Sequence, residues 1–340
     1  MKILVTGGCG YIGSHTLVDL IDNGFEVVSI DDNSRSNDNI LDGVFAITGK
    51  RVQNYTVNLC DFEATKAVFE AHQDIQGIIH FAAYKSVPES VANPLLYYRN
   101  NISSLVNLLQ CVADYDVPHF VFSSSCSVYG NSKELPVTEE TILQKAESPY
   151  GHTKQIGEAM IQAFAKTQGN NNILLRYFNP VGAHESSAIG EVQEKAENLV
   201  PIITQTAIGR RKQMSVFGDD YDTRDGSCIR DYIHVMDIAN AHTKALQYVI
   251  SGRNASKCEV FNLGLGEGVT VLEAIYAFEK VSDMALNYKM SKRRGGDVEK
   301  IYADNTKAKE LLGWQPKYDI EDMMRTAWHW ELKMAEMKVS

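Results

Sequence analysis

A glycine-rich segment near the N-terminus limits the fold of this chain more than any other feature. It runs Gly7-Gly8-Cys9-Gly10-Tyr11-Ile12-Gly13 and follows the apolar run Ile3-Leu4-Val5, which is typical of a buried strand. A helical pattern comes next. Because glycines allow a tight turn and let a pyrophosphate approach a helix N-terminus, we predict a dinucleotide-binding unit with Gly7, Gly10 and Gly13 as cofactor contacts.

Short apolar runs alternate with helical patterns along the first half of the chain. The runs that predict strands are residues 3–5, 27–30, 55–59, 77–81, 120–123 and 173–177. Strand-helix alternation requires right-handed crossovers, so we predict an α/β fold with a doubly wound parallel sheet of the Rossmann type.

The alternation becomes irregular after Asn179-Pro180. We therefore predict a dinucleotide-binding domain over residues 1–180 and a smaller α/β substrate-binding domain over residues 181–340. Residues 230–264 include a second strand-like run at 260–263, and we expect them to return to the main sheet.

Composition disfavours several classes of protein. The 43 acidic and 33 basic side chains give a formal net charge of −10, which argues against nucleic-acid or membrane partners. The six cysteines lie far apart, which predicts a reduced, cytoplasmic location. The apolar runs are too short for a signal peptide or a membrane span. The histidines lack metal-ligand spacing, so we predict no metal.

Asp31 ends the second predicted strand, 18 residues after Gly13. A carboxylate there can accept hydrogen bonds from the adenosine ribose and repel a 2′-phosphate, which favours NAD over NADP. Arg35 is close enough in sequence to keep NADP open, and the Asp-Asp-Asn segment could also be only a turn.

Tyr150 and Lys154 form a Tyr-x-x-x-Lys pair at the start of a helix predicted over residues 148–168. The chain contains four such pairs. Tyr129/Lys133 spans Gly130-Asn131-Ser132, which is typical of a turn, and the pairs at 276/280 and 288/292 follow no strand with a polar cluster. Only Tyr150/Lys154 opens a helix shortly after a strand that ends in Ser123-Ser124-Ser125. Four residues on a helix place the two side chains on one face, where the lysine ammonium can lower the tyrosine pKa. We predict Tyr150 as a base, Lys154 as its activator and Ser125 as a group that aligns the substrate oxygen.

The chain resembles the extended short-chain dehydrogenases/reductases, and within them the UDP-glucose 4-epimerases, over nearly its whole length. The matching segments are Val-Thr-Gly-Gly-Cys-Gly-Tyr-Ile-Gly-Ser-His (5–15), His-Phe-Ala-Ala-Tyr-Lys (80–85), Phe-Ser-Ser-Ser-Cys-Ser-Val-Tyr-Gly (122–130), Ser-Pro-Tyr-Gly-x-x-Lys (148–154), Arg-Tyr-Phe-Asn-Pro-Val-Gly-Ala (176–183) and Arg-Asp-Tyr-Ile-His-Val (230–235).

The resemblance implies a tightly bound NAD and UDP-glucose and UDP-galactose as substrates, interconverted through a 4-keto intermediate. The implied NAD contacts are Gly7, Gly10, Tyr11, Ile12, Gly13, Asp31, Asn33, Ser36, Asn58, Leu59, Phe81, Ala82, Ala83, Lys85, Asn100, Ser125, Tyr150, Lys154 and Phe178. The implied UDP-sugar contacts are Lys85, Ser125, Tyr150, Asn179, Asn198, Leu199, Ser215, Phe217, Arg230, Arg294 and Ile301. It also implies a homodimer formed by helices expected over residues 95–115 and 148–168.

Two positions depart from the family pattern. Asn58 stands where the family usually has an acidic residue for the adenine amino group, and we expect its amide oxygen to serve instead. Ile301 stands where the family has a gate beside the sugar 2-position, and its size predicts some activity on UDP-N-acetylhexosamines. An isoleucine there could also be only a core residue.

Other functions stay open from the sequence. A different nucleotide-sugar epimerase would share these motifs. A 4,6-dehydratase would share the fold and the Tyr/Lys pair, but its family carries an Asp-Glu pair where Ser125 is followed by Cys126-Ser127. A dinucleotide-sensing protein that has lost its chemistry would typically lack Tyr150 or Lys154.

Overall fold

The computed structural model describes residues 1–193, 196–294 and 298–337. The strands are β1 Lys2–Thr6, β2 Glu26–Ile30, β3 Gln53–Tyr55, β4 Ile75–His80, β5 His119–Ser123, β6 Asn171–Tyr177, β7 Asn179–Val181, β8 Met214–Phe217, β9 Ile229–Arg230, β10 Tyr232–His234, β11 Cys258–Leu263, β12 Val269–Thr270, β13 Tyr288–Ser291 and β14 Lys300–Ile301. The helices are α1 Tyr11–Asp22, α2 Ile40–Thr48, α3 Phe62–Ala71, α4 Val87–Ala92, α5 Pro94–Asp114, α6 Pro149–Ala165, α7 Leu199–Ala207, α8 Val235–Ile250, α9 Val271–Ser282 and α10 Ile320–Met337. A 3₁₀ helix spans Cys126–Tyr129 and a π-helical turn spans Ala308–Leu312.

The main sheet has seven parallel strands in the order β11-β6-β5-β4-β1-β2-β3. The chain leaves β1 in one direction to β2 and β3 and later returns on the other side to β4, β5 and β6. The strand order therefore reverses at β1, and ligands bind at the carboxyl ends of strands at such a reversal. The predicted doubly wound Rossmann fold is confirmed.

Helices cover both faces of this sheet because the strands are apolar on both sides. On one face Leu17 of α1 and Leu246 of α8 belong to a cluster that includes Ile79 of β4. On the other face, Leu108 of α5 and Ile161 of α6 belong to a cluster that includes Ile78 of β4. The adjacent strand residues Ile78 and Ile79 thus serve opposite faces, as the alternation of side chains along a strand requires.

The later part of the chain builds smaller sheets beside the carboxyl edge. The strand pairs are β7 with β10 and β8 with β13, and β9 lies between β12 and β14. Val200 of α7, Phe278 of α9 and Met324 of α10 are buried in one apolar cluster of this region. Strand β11 belongs to the main sheet, where it pairs with β6 in parallel. The domain boundary at residue 180 stays a prediction.

The third predicted strand is displaced. We expected residues 55–59, but the strand is Gln53–Tyr55, and the Val57 amide turns back to donate to the Tyr55 carbonyl at 2.8 Å. Leu59 is nevertheless buried, at 5% exposure, because it packs into the core from the following loop. The alternation of apolar residues over 55–59 therefore indicates that these side chains face the core, although residues after Tyr55 do not pair as a strand.

In the described part of the chain, no helix is both long enough and apolar enough to cross a membrane.

Candidate active site at the carboxyl edge of the sheet

The glycine loop between β1 and α1 is tightly enclosed. Gly7 has a φ of +73°, and a Cβ atom on it would lie 2.8 Å from the Ala82 amide nitrogen. A Cβ on Gly13 would lie 2.0 Å from the Gly7 carbonyl oxygen. Gly10 precedes α1 without a side-chain cap, and the first turn of α1 carries no acidic residue. This bare helix N-terminus suits an anionic pyrophosphate.

Tyr11 and Ile12 open helix α1 beside this loop. The Tyr11 hydroxyl donates to the Gly182 carbonyl, so it ties the glycine loop to the segment after β7. Ile12 is partly buried against the core cluster of that face.

Asp31 lies at the carboxyl end of β2, next to the glycine loop. Its Oδ2 accepts from the Cys9 amide at 3.0 Å, and its Oδ1 accepts from the Asn33 amide at 3.0 Å and the Ser36 hydroxyl at 2.6 Å. Burial raises the Asp31 pKa, and these donors oppose the rise.

Asn33, at a φ of +58°, keeps its Oδ1 buried without a hydrogen-bond partner among the described residues. An acceptor left unsatisfied beside Asp31 fits the hydroxyl groups of a nucleotide ribose.

Arg35 turns away from Asp31. Its Nη2 lies 2.6 Å from Glu89 Oε1, and its guanidinium lies 4.8 Å from the centroid of the Tyr84 ring. Glu89, which pairs with Arg35, lies on α4 after β4, whereas Asp31 follows β2 on the other side of β1.

Asn58 uses its amide oxygen within its own loop, where it accepts from the Cys60 amide at 2.8 Å. Only the second lone pair of this oxygen is left for an adenine amino group.

The segment after β4 forms the other wall of the cleft. The Phe81 amide donates to the Thr6 carbonyl at 3.0 Å, and the Ala82 amide approaches the Thr6 hydroxyl at 3.4 Å. Ala83 follows in the same turn. Lys85 forms an ion pair with Glu191 at 2.9 Å, and its ammonium lies 5.9 Å from the Tyr11 ring centroid.

Asn100 and Asn101 on α5 support this wall. The Asn100 amide donates to Asn101 Oδ1 at 3.1 Å. Asn101 accepts from the Tyr84 amide at 2.9 Å and donates to the Tyr84 carbonyl at 3.0 Å and to the Thr153 hydroxyl at 3.1 Å. Sequence reasoning missed Asn101, although a polar residue on the buried side of an amphipathic helix was a usable signal.

Ser125, Tyr150 and Lys154 come together at the end of β5. Ser148 caps α6 by accepting from the Gly151 amide at 3.1 Å, which fixes the turn that carries Tyr150. The Lys154 ammonium donates to the Ser123 carbonyl at 2.6 Å and lies 5.9 Å from the Tyr150 ring centroid. Ser125 Oγ accepts from the amide and the hydroxyl of Ser127 at 3.2 and 3.0 Å, so its own hydrogen is left to donate.

Burial is the largest influence on the acidities of Tyr150 and Lys154. Burial raises the Tyr150 pKa well above its usual value, Tyr177 adds to the rise, and hydrogen bonding with Ser125 opposes it. Burial lowers the pKa of Lys154 to about 8, and the Glu158 carboxylate opposes this. Desolvation of the phenolate is thus the largest influence on the Tyr150 pKa. That the Lys154 ammonium lowers this pKa, with help from an oxidised nicotinamide, stays a prediction.

The predicted substrate residues lie on the smaller sheets and loops. Phe178 and Ile301 share one apolar cluster, and Ile301 pairs with Arg230 between β14 and β9. The Asn179 amide group donates to the Asp231 carbonyl at 3.1 Å. Arg230 Nη1 donates to the Ile229 carbonyl at 2.8 Å.

The remaining substrate candidates lie at the start of α7, on β8 and shortly after β13. Asn198 precedes α7 without capping it through its side chain, and Leu199 begins that helix. Ser215 and Phe217 lie on β8, and the Arg294 guanidinium lies 5.5 Å from the Phe217 ring centroid. Residues 295–297, which follow Arg294 and include Gly296 and Asp297, lie outside the described residues.

Comparison with known proteins identifies the family. A family profile described as GDP-mannose 4,6 dehydratase matches residues 4–327. The chain is 45% identical over 333 residues to a UDP-glucose 4-epimerase of Bacillus subtilis, with 97% of each chain covered. The chain belongs to the UDP-glucose 4-epimerase family.

Solved structures agree with this assignment. A Stenotrophomonas maltophila UDP-glucose 4-epimerase with bound NAD and formylated UDP-arabinopyranose superposes with a TM-score of 0.96 at 41% identity, with 99% of each chain covered. The Bifidobacterium longum enzyme, in complex with NAD⁺ and UDP, gives a TM-score of 0.93 at 40% identity, with 98% of each chain covered.

Proposed function

We propose that this chain is a UDP-glucose 4-epimerase that interconverts UDP-galactose and UDP-glucose with a tightly bound NAD. The observation that carries the proposal is the meeting of Ser125, Tyr150 and Lys154 at the same sheet edge as the glycine loop and Asp31. A dinucleotide held on the loop can reach this cluster because β1, β4 and β5 are successive neighbours.

NAD would lie across the carboxyl end of β1. The N-terminus of α1 would hold its pyrophosphate, Asp31 with Asn33 and Ser36 its adenosine ribose, and Lys85 the nicotinamide side. Held there, NAD would supply reversible hydride transfer at C4 of the sugar.

Residues of the chain itself transfer the proton and orient the sugar. Tyr150 takes the proton of the sugar 4-hydroxyl and later gives it back. The hydroxyl of Ser125 donates to the same oxygen and aligns it. Lys154 stabilises the phenolate against the burial that raises its pKa, and the positive charge of an oxidised nicotinamide would add to this stabilisation.

The UDP group would be anchored away from the reacting carbon. Arg230 and Arg294 would hold the diphosphate, with Asn179, Asn198, Leu199, Ser215 and Phe217 around the rest of the nucleotide and sugar. Guanidinium groups match phosphate oxygens in a bidentate manner. Anchoring mainly through UDP lets the sugar rotate between the two hydride transfers.

Dehydration of the sugar is not favoured by the same site. Ser125 is followed by Cys126, whose thiol pKa burial raises to about 12, and then by Ser127. Elimination of water needs an acid and a base in addition to Tyr150, and this segment supplies no carboxylate.

The deciding experiment is conversion of UDP-galactose by purified protein without added nicotinamide. Sustained formation of UDP-glucose with no net NADH supports the proposal. Stoichiometric release of NADH would indicate a net dehydrogenase, and formation of a 4-keto-6-deoxy sugar would indicate the dehydratase.

The assembly, location and domain division belong to this proposal as well. We propose a homodimer through α5 and α6, a dinucleotide-binding part over residues 1–180 with β11 added, and a UDP-sugar-binding part over the rest. A cytoplasmic location is supported by the six cysteines, all of which are free thiols.

A further inference from the structure

A buried ion pair lies one helical turn beyond Lys154. Glu158 on α6 faces Arg176 on β6, with Nε to Oε1 at 2.9 Å and Nη2 to Oε2 at 2.7 Å. The two side chains are only 3% and 4% exposed. This is a bidentate, charge-assisted pair in the layer between the sheet and the helix that carries Tyr150.

Glu158 also contacts the end of β5. The Ser124 hydroxyl donates to Glu158 Oε1, and the preceding residue, Ser123, accepts from the Lys154 ammonium. Helix α6 is thus attached to two consecutive residues of the strand end, directly before Ser125.

Burying this ion pair carries a desolvation penalty, so the need to fill space does not explain why two charged residues occupy this position. Removing two charges from water is unfavourable, and well-packed apolar residues of similar volume often stabilise such a position equally well. The apolar cluster around Leu105, Phe122 and Ile161 in the same layer shows that the fold can fill this space with hydrocarbon. A requirement for charge and orientation at this point accounts for the pair better than stability does.

We propose that Glu158 is a positioning residue for the reaction: it holds the strand end that carries Ser125 and keeps the neighbouring Lys154 in its ammonium form. This inference deepens the proposed epimerase function and rests on it. Glu158 is not a catalytic residue, because its carboxylate is occupied by Arg176 and Ser124 beneath the site.

The charges around Lys154 give the expected sign. Glu158 opposes the burial that lowers the Lys154 pKa to about 8. The other ionisable groups facing this layer are Arg176 on β6, His80 on β4, Tyr129 on the 3₁₀ helix, Glu139 in the loop before α6, Cys258 on β11 and Tyr150 on α6. Loss of the Glu158 anion leaves cationic Arg176 uncompensated, so Lys154 loses its proton at lower pH.

The test compares the pH dependence of kcat for the wild-type holoenzyme and Glu158→Gln. We expect the alkaline decline of kcat to move to lower pH by on the order of one unit, and kcat at neutral pH to fall by about tenfold or more. KM for UDP-galactose and the NAD content should stay near the wild-type values, because Glu158 touches neither ligand. If Glu158→Gln does not fold, Glu158→Gln/Arg176→Met removes both charges at once and should displace the alkaline decline in the same direction but by less, because no uncompensated cation is left beside Lys154.

A matched control is Glu331→Gln. Glu331 is also buried and paired with an arginine, Arg210, at 2.6 Å, but it lies on α10. Its loss should lower the melting temperature without moving the pH profile. A displacement in Glu158→Gln no larger than that in Glu331→Gln would overturn the inference.

Two further measurements separate the parts of the proposal. Ser124→Ala removes the hydroxyl contact and keeps the ion pair, so kcat should fall severalfold with an unchanged pH profile. An unchanged kcat would refute the positioning role.

Competitive acetylation of Lys154, followed by mass spectrometry as a function of pH, reports the protonation of Lys154 without any turnover. If the wild-type chain does not epimerise UDP-galactose, the proposed function fails, while the acetylation curves of wild type and Glu158→Gln still decide whether Glu158 controls Lys154.

Discussion

At the scale of single residues, Tyr150 has to reconcile two opposing demands. It needs an apolar pocket that brings its hydroxyl against a sugar, and the same burial raises its pKa. The protein supplies Lys154 on the next turn and a donor at Ser125, and the proposed cofactor supplies the remaining positive charge. In the proposed mechanism, proton abstraction by Tyr150 would be easier when the oxidised nicotinamide lies beside it.

Tyr150→Phe tests this role. The substitution deletes one hydroxyl and little packing, so we expect kcat to fall by orders of magnitude while NAD and UDP-sugar are retained. Steady-state kinetics and the NAD content of the purified variant are the measurements. A variant that keeps more than about a tenth of the wild-type kcat would remove Tyr150 from the mechanism.

Asp31→Asn tests the choice of dinucleotide. Neutralising the carboxylate weakens hydrogen bonds to the ribose and removes repulsion of a 2′-phosphate, so the ratio of NAD to NADP affinity should fall. The ratio is measured by titrating nucleotide-stripped protein. Asp32→Asn is the matched control, because Asp32 accepts only from the Ser34 amide of its own loop in the described contacts, at 2.9 Å. An unchanged ratio in Asp31→Asn would mean that another group senses the ribose.

Ile301→Tyr tests which sugars fit. Ile301 is 8% exposed and packs with Phe178 and Val128, so it is both near the proposed site and part of a core. If it is the gate, the wild type acts mainly on plain UDP-hexoses with some UDP-N-acetylglucosamine activity, and tyrosine suppresses the second while sparing the first. Rates on both substrates decide. Equal losses would indicate overpacking of a core position, and a wild type without N-acetyl activity would also exclude the gate.

At the scale of elements, three segments meet at Asn101. This side chain joins α5 to the turn at Tyr84 and to Thr153, one residue before Lys154. Asn101→Ala should leave the Tyr84 amide and carbonyl without these partners, at about 1–3 kcal/mol of stability for a buried unsatisfied group, and should lower kcat by letting α6 shift. Thermal unfolding and kcat are measured together.

The control for Asn101→Ala is Asn107→Ala on the same helix. The Asn107 amide donates to the Leu59 carbonyl at 2.9 Å and makes no described hydrogen bond to α6. It should cost stability with little change in kcat. Equal effects of the two substitutions on kcat would show that Asn101 acts only through the stability of α5.

The sequence predicted the helices better than it predicted the polar side-chain contacts that connect them to other elements. The helices at 95–115 and 148–168 were placed within a few residues of Pro94–Asp114 and Pro149–Ala165, because their apolar periodicity and caps are local signals. The roles of Glu158 and Asn101 were missed because their partners lie on other elements, 18 residues away for Glu158 and Arg176 and 52 residues away for Asn101 and Thr153. A short window of sequence can indicate that a polar residue such as Asn101 is buried, but it does not show which distant residue is its partner.

At the scale of the whole molecule, the sequence predicted which side chains form the site but not how their surroundings change their pKa values. The motifs predicted which side chains would gather at the sheet edge, and Ser125, Tyr150 and Lys154 do gather there. The direction of the Tyr150 pKa was not predictable, because desolvation depends on the complete packing of α6 against the sheet and not on the spacing of two residues.

The exposed apolar residues of α5 predict how the whole chain assembles. On α5, Leu95 is 80% exposed and Val106 is 48% exposed, and eleven residues separate them, which places both on one side of the helix. An apolar stripe on a helix that already packs against α6 suits a second copy of the chain. We therefore expect a dimer by light scattering at micromolar concentration. Leu95→Glu/Val106→Glu should give a monomer that is still folded by circular dichroism. Ile142→Glu, at a loop position that is 75% exposed, should stay dimeric. A monomeric mass for the wild type, or a dimeric mass for the double variant, would contradict this interface.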